Sequence, residues 1–149
     1  MIRKAVMADA KHIQSLINSF TKTGLMLPVS INEIYEKILE FVVWDEDGQI
    51  LGCCAMHPTW ENLAEIRSVA VDANAFKKGI GTAIVTAAMD KAREVGITDA
   101  FLLTYQPGFF GKLGFTELEK EHLPKKIWSD CLKCAKFPDC DEIAMKRKL

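Results

Sequence analysis

The run from Leu63 to Thr104 constrains this sequence most, because it reads strand, glycine pair, long helix, strand. Residues 63–71 are apolar enough for a strand. Gly79 and Gly81 follow, and Ile80, Ile84, Ala88 and Ala92 then recur at helical spacing, with Val85, Met89 and Val95 beside them. The alanines allow such a helix, 79–95, to lie close on a sheet. Gly96 stops it, and residues 99–104, rich in Phe and Leu, form a buried strand. A helix that covers a sheet in this way commits the chain to an α/β layered fold. With 149 residues there is room for one compact domain and little more.

The other segments fit around that unit. Residues 2–6 form a short strand. Ile13, Leu16, Ile17 and Phe20 give one apolar helix face that fades near Thr23 and Gly24. Ser30 and Glu33 have capping-box spacing ahead of a helix over 31–39, with Ile34, Ile38 and Leu39 packing against the sheet or covering the substrate. Strands over 41–44 and 50–57 are joined by Asp45-Glu-Asp-Gly48, since Asp-Gly tolerates the positive φ of a hairpin turn. A reversal over 58–62 then leads into the 63–71 strand, completing an antiparallel meander. Pro107 and Gly114 bracket a short helix anchored by Phe109, Phe110 and Leu113. Residues 115–118 begin another strand, 119–140 are irregular, and 142–146 return as a last strand. The sheet is therefore mixed, not a repeating βαβ array.

Charge and hydropathy exclude several classes. The formal net charge is -1, so no general field attracts nucleic acid or acidic lipid. No stretch approaches the roughly 18 apolar residues that span a bilayer, and the first residues lack the apolar core of a signal peptide. A cytoplasmic protein is expected, with neither nucleic acid nor membrane as partner. The chain has 5 cysteines, an odd number that argues against a secreted disulfide framework. Cys53 and Cys54 are expected to be small core fillers.

The glycine pair is the first chemical clue. Peptide N–H groups at the start of a helix, aided by its dipole, can hold a pyrophosphate. Thr82 offers a hydroxyl, and Lys77 and Lys78 offer charge. Alone, Gly-x-Gly is equally a tight turn. It lacks the third glycine of a dinucleotide fingerprint and the Gly-Lys-Ser/Thr of a Walker loop.

In combination the signal sharpens. Glu65-Ile-Arg-Ser-Val-Ala-Val71, Gly79-Ile-Gly81 and Phe109-Phe-Gly-Lys-Leu-Gly-Phe115, in this order and spacing, resemble the GNAT acetyltransferase superfamily. Ala64–Val71, Leu103-Thr-Tyr-Gln-Pro-Gly-Phe-Phe110 and the tail from Leu123 to Cys134 are similar to the acetyltransferase domain of short N-acetylglutamate synthases. The resemblance implies a mixed, mostly antiparallel central sheet with flanking helices over 1–149, with a cysteine-containing flap around 119–141. It implies transfer of an acetyl group from acetyl-CoA to the α-amine of a small acidic amino acid, L-glutamate first, in a ternary complex. A role in arginine biosynthesis would follow. Another small amine, a peptide N-terminus or a noncatalytic acyl-CoA-binding module are the alternatives. A homodimer is left open.

The resemblance also suggests roles for particular residues. Two strands should splay near Val71 and Leu103, and pantetheine should lie along Val69, Ala70 and Val71, where a backbone N–H stabilises the oxyanion. Lys77, Lys78, Gly79, Ile80, Gly81 and Thr82 should hold the phosphates, with Phe109 and Phe110 packing against cofactor and core. Glu65 is the candidate general base, directly or through a water; its alternative is a salt-bridging carboxylate. Arg67 shares a face with Glu65 in an unbroken strand and can clamp a substrate carboxylate, or simply pair with Glu65. A β-bulge there would alter the parity. Tyr105 can protonate the leaving thiolate or be a half-buried strand-end ring. Trp128 is a candidate pocket wall. His57, before Pro58, reads as polar loop structure.

The sequence departs from the family pattern at two positions and in extent. Phe76 stands where members usually carry Gln or Arg, and Phe110 stands where many carry a tyrosine acid. These residues contain no amino-acid kinase domain, so regulation through one is not carried over. Cys131, Cys134 and Cys140 have spacing compatible with a structural zinc site completed by His122 or Asp130. The favoured expectation is a packed flap without metal, since acetyl transfer needs none.

Overall fold

A computed structural model describes the chain apart from residues 22, 25, 77 and 123–141. Eleven elements position the site: β1 (Ile2–Lys4), α1 (Ala10–Asn18), α2 (Ile31–Glu36), β2 (Phe41–Glu46), β3 (Gln49–Trp60), β4 (Leu63–Val71), α3 (Ile80–Glu94), β5 (Asp99–Thr104), α4 (Pro107–Lys112), β6 (Thr116–Leu118) and β7 (Ile143–Lys148). The strands form one sheet in the order β1-β2-β3-β4-β5-β7-β6. Every neighbouring pair is antiparallel except β4 and β5, which run parallel because α3 crosses between them.

Alternation along the strands sends side chains to two cores. On one face α3 lays Ile80, Ile84, Val85, Ala88, Met89 and Ala92 over Val42, Cys54, Met56, Ala64, Ile66, Ala100 and Leu102. On the other, α1 and α2 cover Phe41, Val43, Cys53, Ala55 and Ala70. The small residues on α3 let it approach the sheet. Gly52 on β3 makes the closest approach: a Cβ there would lie 2.8 Å from Ile80 Cγ2.

Several boundaries differ from the sequence reading. The first helix ends at Asn18, not near residue 23. The hydroxyls of Ser19, Thr21 and Thr23 donate to carbonyls three residues back, an arrangement that turns the chain out of the helix. Ser30 does cap α2 by accepting from the Glu33 amide. That helix stops at Glu36, and a 3-10 turn over Ile38–Glu40 follows. Leu39, expected to pack against the sheet or cover the substrate, does not pack on the sheet: it is 83% exposed, because the tighter turn rotates it off the apolar face. Val95 is likewise outside the core, just past the end of α3.

The reversal after β3 is also shorter than expected. The strand runs on through Pro58 to Trp60, and only Glu61 and Asn62 turn. Pro58 is tolerated because β2 pairing ends at Ala55, leaving that side of β3 an edge where a missing N–H breaks no ladder bond. A bulge at Thr59 takes up the extra residue, and its hydroxyl donates to the Leu63 carbonyl at 3.2 Å. The next turn back along the meander is a tight one, with positive φ at both Asp47 and Gly48.

Candidate active site

The central sheet opens where β4 leaves β5. The two strands pair only over Leu63–Glu65 and Asp99–Phe101. From Ile66 onward the backbone of β4 has no ladder partner on that side among the described residues. The divergence expected near Val71 and Leu103 therefore starts one turn of pleat earlier. A bulge accentuates it. Cys53 faces Ala70 while Ala55 faces Arg67, so β4 carries one extra residue, and Ser68 takes a left-handed φ of 56°. The Cys53 thiol donates to the Ser68 carbonyl at 3.4 Å and so ties the bulge down from the buried side.

The bulge lies after Arg67, and this decides the parity question. Met56 faces Ile66 and His57 faces Glu65 in unbroken register, so Glu65 and Arg67 do share a face. Arg67 Nη1 lies 3.5 Å from Glu65 Oε1. A second carboxylate joins them: Arg67 Nη2 is 3.7 Å from Glu40 Oε1. Glu40 Oε2 in turn bonds His57 Nδ1 at 2.8 Å. All four side chains are largely buried. The site is thus two carboxylates, a guanidinium and an imidazole at the edge of the divergence.

Glu40 and His57 were missed in the sequence. His57 ends the strand expected over 50–57, but its polar structural reading there overlooks that it faces Glu65. The two-residue turn at Glu61–Asn62 would by itself place His57 opposite Ile66, and it is the Thr59 bulge that brings it opposite Glu65. Glu40 sits in the 3-10 turn before β2, where neither helical nor strand periodicity assigns it a face.

At the far end of β4 the chain meets the start of α3. Gly79 caps this helix at φ 76°, a left-handed conformation that favours glycine. The first intrahelical bond runs from the Ala83 amide to the Gly79 carbonyl, which leaves the N–H groups of Ile80, Gly81 and Thr82 without intrahelical acceptors. No acidic residue lies in this first turn. Gly81 packs against Phe109 of α4: a Cβ there would lie 3.2 Å from Phe109 Cζ and 3.7 Å from Val71 Cγ2. Helix start, strand end and aromatic ring therefore converge on one place.

The other expected residues distribute around this frame. Val69 and Val71 pack towards the α3 core, while Ala70 is buried on the opposite face. Ile80 is buried, and Lys78 and Thr82 are exposed. Phe110 is buried and stacks edge-on with both Phe109 and Phe115. Tyr105 follows β5 immediately and is half-buried. Phe76 is 54% exposed and stacks on Phe20 with ring centroids 6.4 Å apart, so an aromatic contact replaces the expected polar side chain. Lys77, Trp128, Cys131, Cys134 and Cys140 lie outside the described residues, and with them the flap and zinc alternatives.

Two buried thiols have a structural role only. Burial pushes Cys53 up to about 12. Burial first, and then Cys53 beside it, raise Cys54 as well. Lys91 of α3 is shifted the opposite way, mainly by desolvation and then by Lys4. Its ammonium donates to the Leu39 carbonyl and so ties α3 to the turn that carries Glu40.

Known proteins are similar to this chain in sequence and fold. The sequence profile of the acetyltransferase (GNAT) family matches residues 11–115. An uncharacterised N-acetyltransferase of Chlorobaculum tepidum is 43% identical over 148 residues, covering 99% of this chain and 96% of that protein. An amino-acid acetyltransferase of Mycobacterium tuberculosis is 32% identical over 133 residues, covering 87% of this chain and 76% of that protein. Among solved structures, N-acetylglutamate synthase of Neisseria gonorrhoeae, complexed with coenzyme A and N-acetyl-glutamate, superposes with a TM-score of 0.91 at 28% identity; the match covers 100% of this chain and 35% of that one. On the family match and these relatives, the chain belongs to the acetyltransferase (GNAT) family of acetyl-CoA-dependent N-acetyltransferases.

Proposed function

We propose that this protein acetylates the α-amine of a small acidic amino acid, with L-glutamate the leading candidate. One observation carries the reading: a guanidinium flanked by two carboxylates borders the opening between β4 and β5. An α-amino acid is itself a zwitterion. Its ammonium matches Glu65, and its carboxylate matches Arg67, whose planar fork suits bidentate recognition. The similarity to an amino-acid acetyltransferase of M. tuberculosis supports an amino acid as the acceptor.

Each step then has a candidate group. The N–H groups at the start of α3, without intrahelical acceptors, suit the pyrophosphate of acetyl-CoA, with Lys78 supplying charge nearby. The edge of β4 over Val69, Ala70 and Val71 that faces away from β3, unpaired among the described residues, suits the amide groups of pantetheine. A backbone N–H beyond the Ser68 bulge polarises the thioester carbonyl and holds the oxyanion. Glu65 draws a proton from the ammonium, directly or through a water, so that the amine can attack. Tyr105, at the mouth of β5, protonates the departing thiolate. Phe109 closes the cofactor side.

A screen of coenzyme A release tests this reading. Glutamate, aspartate, neutral amino acids, polyamines and short peptides are offered at equal concentration. Glutamate or aspartate should give the highest kcat/KM. Preference for a polyamine or a peptide N-terminus would refute the acidic amino acid while leaving acetyl transfer intact.

A further inference from the structure

Glu40 holds a carboxylate in an unusual state. Its Oε1 is one of three buried side-chain polar atoms without a hydrogen-bond partner among the described residues. The cation facing it, Arg67 Nη2, is 3.7 Å away, well beyond the roughly 2.7–2.9 Å of a charge-assisted bond. A buried acceptor left without a donor is costly, and such groups call for an explanation. Glu40 Oε2 supplies one, because it is already engaged with His57 Nδ1 at 2.8 Å. A carboxylate can only accept, so this bond places a proton on Nδ1, and the neutral imidazole then carries its lone pair on Nε2. His57 also stands directly opposite Glu65 in the β3–β4 register, and opposed Cβ atoms lie about 4.5–5.5 Å apart.

We propose that Glu40 and His57 form a proton-accepting dyad behind Glu65. This rests on the acetyltransferase reading of the site. The substrate ammonium gives one proton to Glu65, which passes it across the strand pair, directly or through one water, to His57 Nε2. Glu40 stabilises the resulting imidazolium with the negative charge it holds in reserve. The freed amine lone pair forms the C–N bond at the thioester carbon as the carbonyl electron pair moves to oxygen. When the carbonyl re-forms, the C–S bond breaks with its pair on sulfur. The second nitrogen proton ends on the thiolate, and His57 releases the first to solvent. The charged groups around the imidazole are Glu40 from the turn before β2, and Glu65 and Arg67 from β4. Lys91 of α3 reaches the same turn through the Leu39 carbonyl.

The test uses the full chain and two readouts. In protein labelled with nitrogen-15 histidine, long-range proton–nitrogen spectra should show His57 neutral with Nδ1 protonated, and Glu40→Gln should abolish that preference. In coenzyme A release with the best amine of the screen, His57→Gln should lower kcat/KM about 100-fold and flatten the acid limb of the pH profile. Acetyl-CoA affinity and Tm should stay near wild type. Glu40→Gln should shift the same limb. Because the two residues act as a unit, the double variant should lose no more than His57→Gln alone. An Nε2-protonated His57 in the wild type, or a His57→Gln profile matching the wild type, overturns the dyad. If His57→Gln does not fold, the wild-type tautomer and the Glu40→Gln profile decide. Failure to acetylate any amine sinks the acetyltransferase reading itself, whereas transfer with an unaltered variant profile sinks the dyad alone.

Discussion

Gly52 sets how closely α3 approaches the sheet, and Gly52→Ala measures what that closeness is worth. The residue has no positive φ, so alanine suits its backbone, and the effect should come from packing. The new Cβ would lie 2.8 Å from Ile80 Cγ2 and 3.3 Å from Ile84 Cδ1, where carbon atoms normally settle at about 3.5–4.0 Å. Both isoleucines are buried against neighbours that leave little room to retreat. Overpacking of this kind costs about 1–3 kcal/mol. Replacing glycine within a strand returns roughly 0.5–1 kcal/mol of backbone entropy. The net loss is then about 1–2 kcal/mol, or a fall of about 2–8 °C in Tm for a chain of this size. Ile80 is the first residue of α3, so the helix start that offers its N–H groups should be pushed outward. Calorimetry should therefore show weaker binding of coenzyme A to the folded variant. Ile80→Leu deletes the offending Cγ2 methyl, and in the double variant it should recover about 1 kcal/mol. A Gly52→Ala protein with unchanged Tm and unchanged coenzyme A affinity would refute the argument that α3 is seated on this glycine.

Four further outcomes are expected. Arg67→Ala should reduce kcat/KM for glutamate more than for an otherwise similar amine without the carboxylate; equal losses would make the arginine structural. Gly81→Asp adds bulk beside Phe109 and a negative charge at a helix N-terminus, so coenzyme A binding should weaken in a chain whose circular dichroism is unchanged. Asp9 accepts two bonds from Arg3, at 2.7 and 2.9 Å, and one from the Val6 amide at 2.8 Å, so Asp9→Asn should cost about 2 kcal/mol near neutral pH. Arg3, despite opposing desolvation, holds the Asp9 carboxyl below its ordinary value. Its stabilisation is therefore full above about pH 4 and lost as pH falls through the lower folded value, and denaturant titrations of the two proteins should converge in acid. Cys53 and Cys54 should resist alkylation at neutral pH until the chain unfolds, as read by peptide mapping; modification of either in the native protein would contradict their burial.

The parts of this fold that could be read from sequence are those where an apolar run ends at a strong stop signal. β4 and β5 have the expected ends, and α3 differs by one residue at each end, because Gly79 and Gly96 bracket a consistent helical period. Reading failed where local hydrogen bonds compete with the regular ladder. The hydroxyls after Asn18 end α1 early, and the 3-10 turn over Ile38–Glu40 breaks the helical period and takes Leu39 off the sheet. The same turn aims Glu40 at the site, and no periodicity announces it.

Glu65 and Arg67 show how the readable and unreadable parts meet. Their spacing alone puts them on one face, provided that no bulge intervenes. The sheet does carry bulges on both sides, at Thr59 on β3 and beyond Arg67 on β4. Between them lies a short stretch of unbroken register, and it is this stretch that brings His57 opposite Glu65. Moving the Ser68 bulge one position towards the N-terminus would place it at Arg67 and break the ladder between the two residues. The guanidinium would lose its common face with the carboxylate. Sequence order supplies the charged pair, but bulge position determines that it works as a pair. Bulge position in turn depends on long-range contacts such as the Cys53 thiol on the Ser68 carbonyl, fifteen residues apart in the chain and legible only once the strands are aligned.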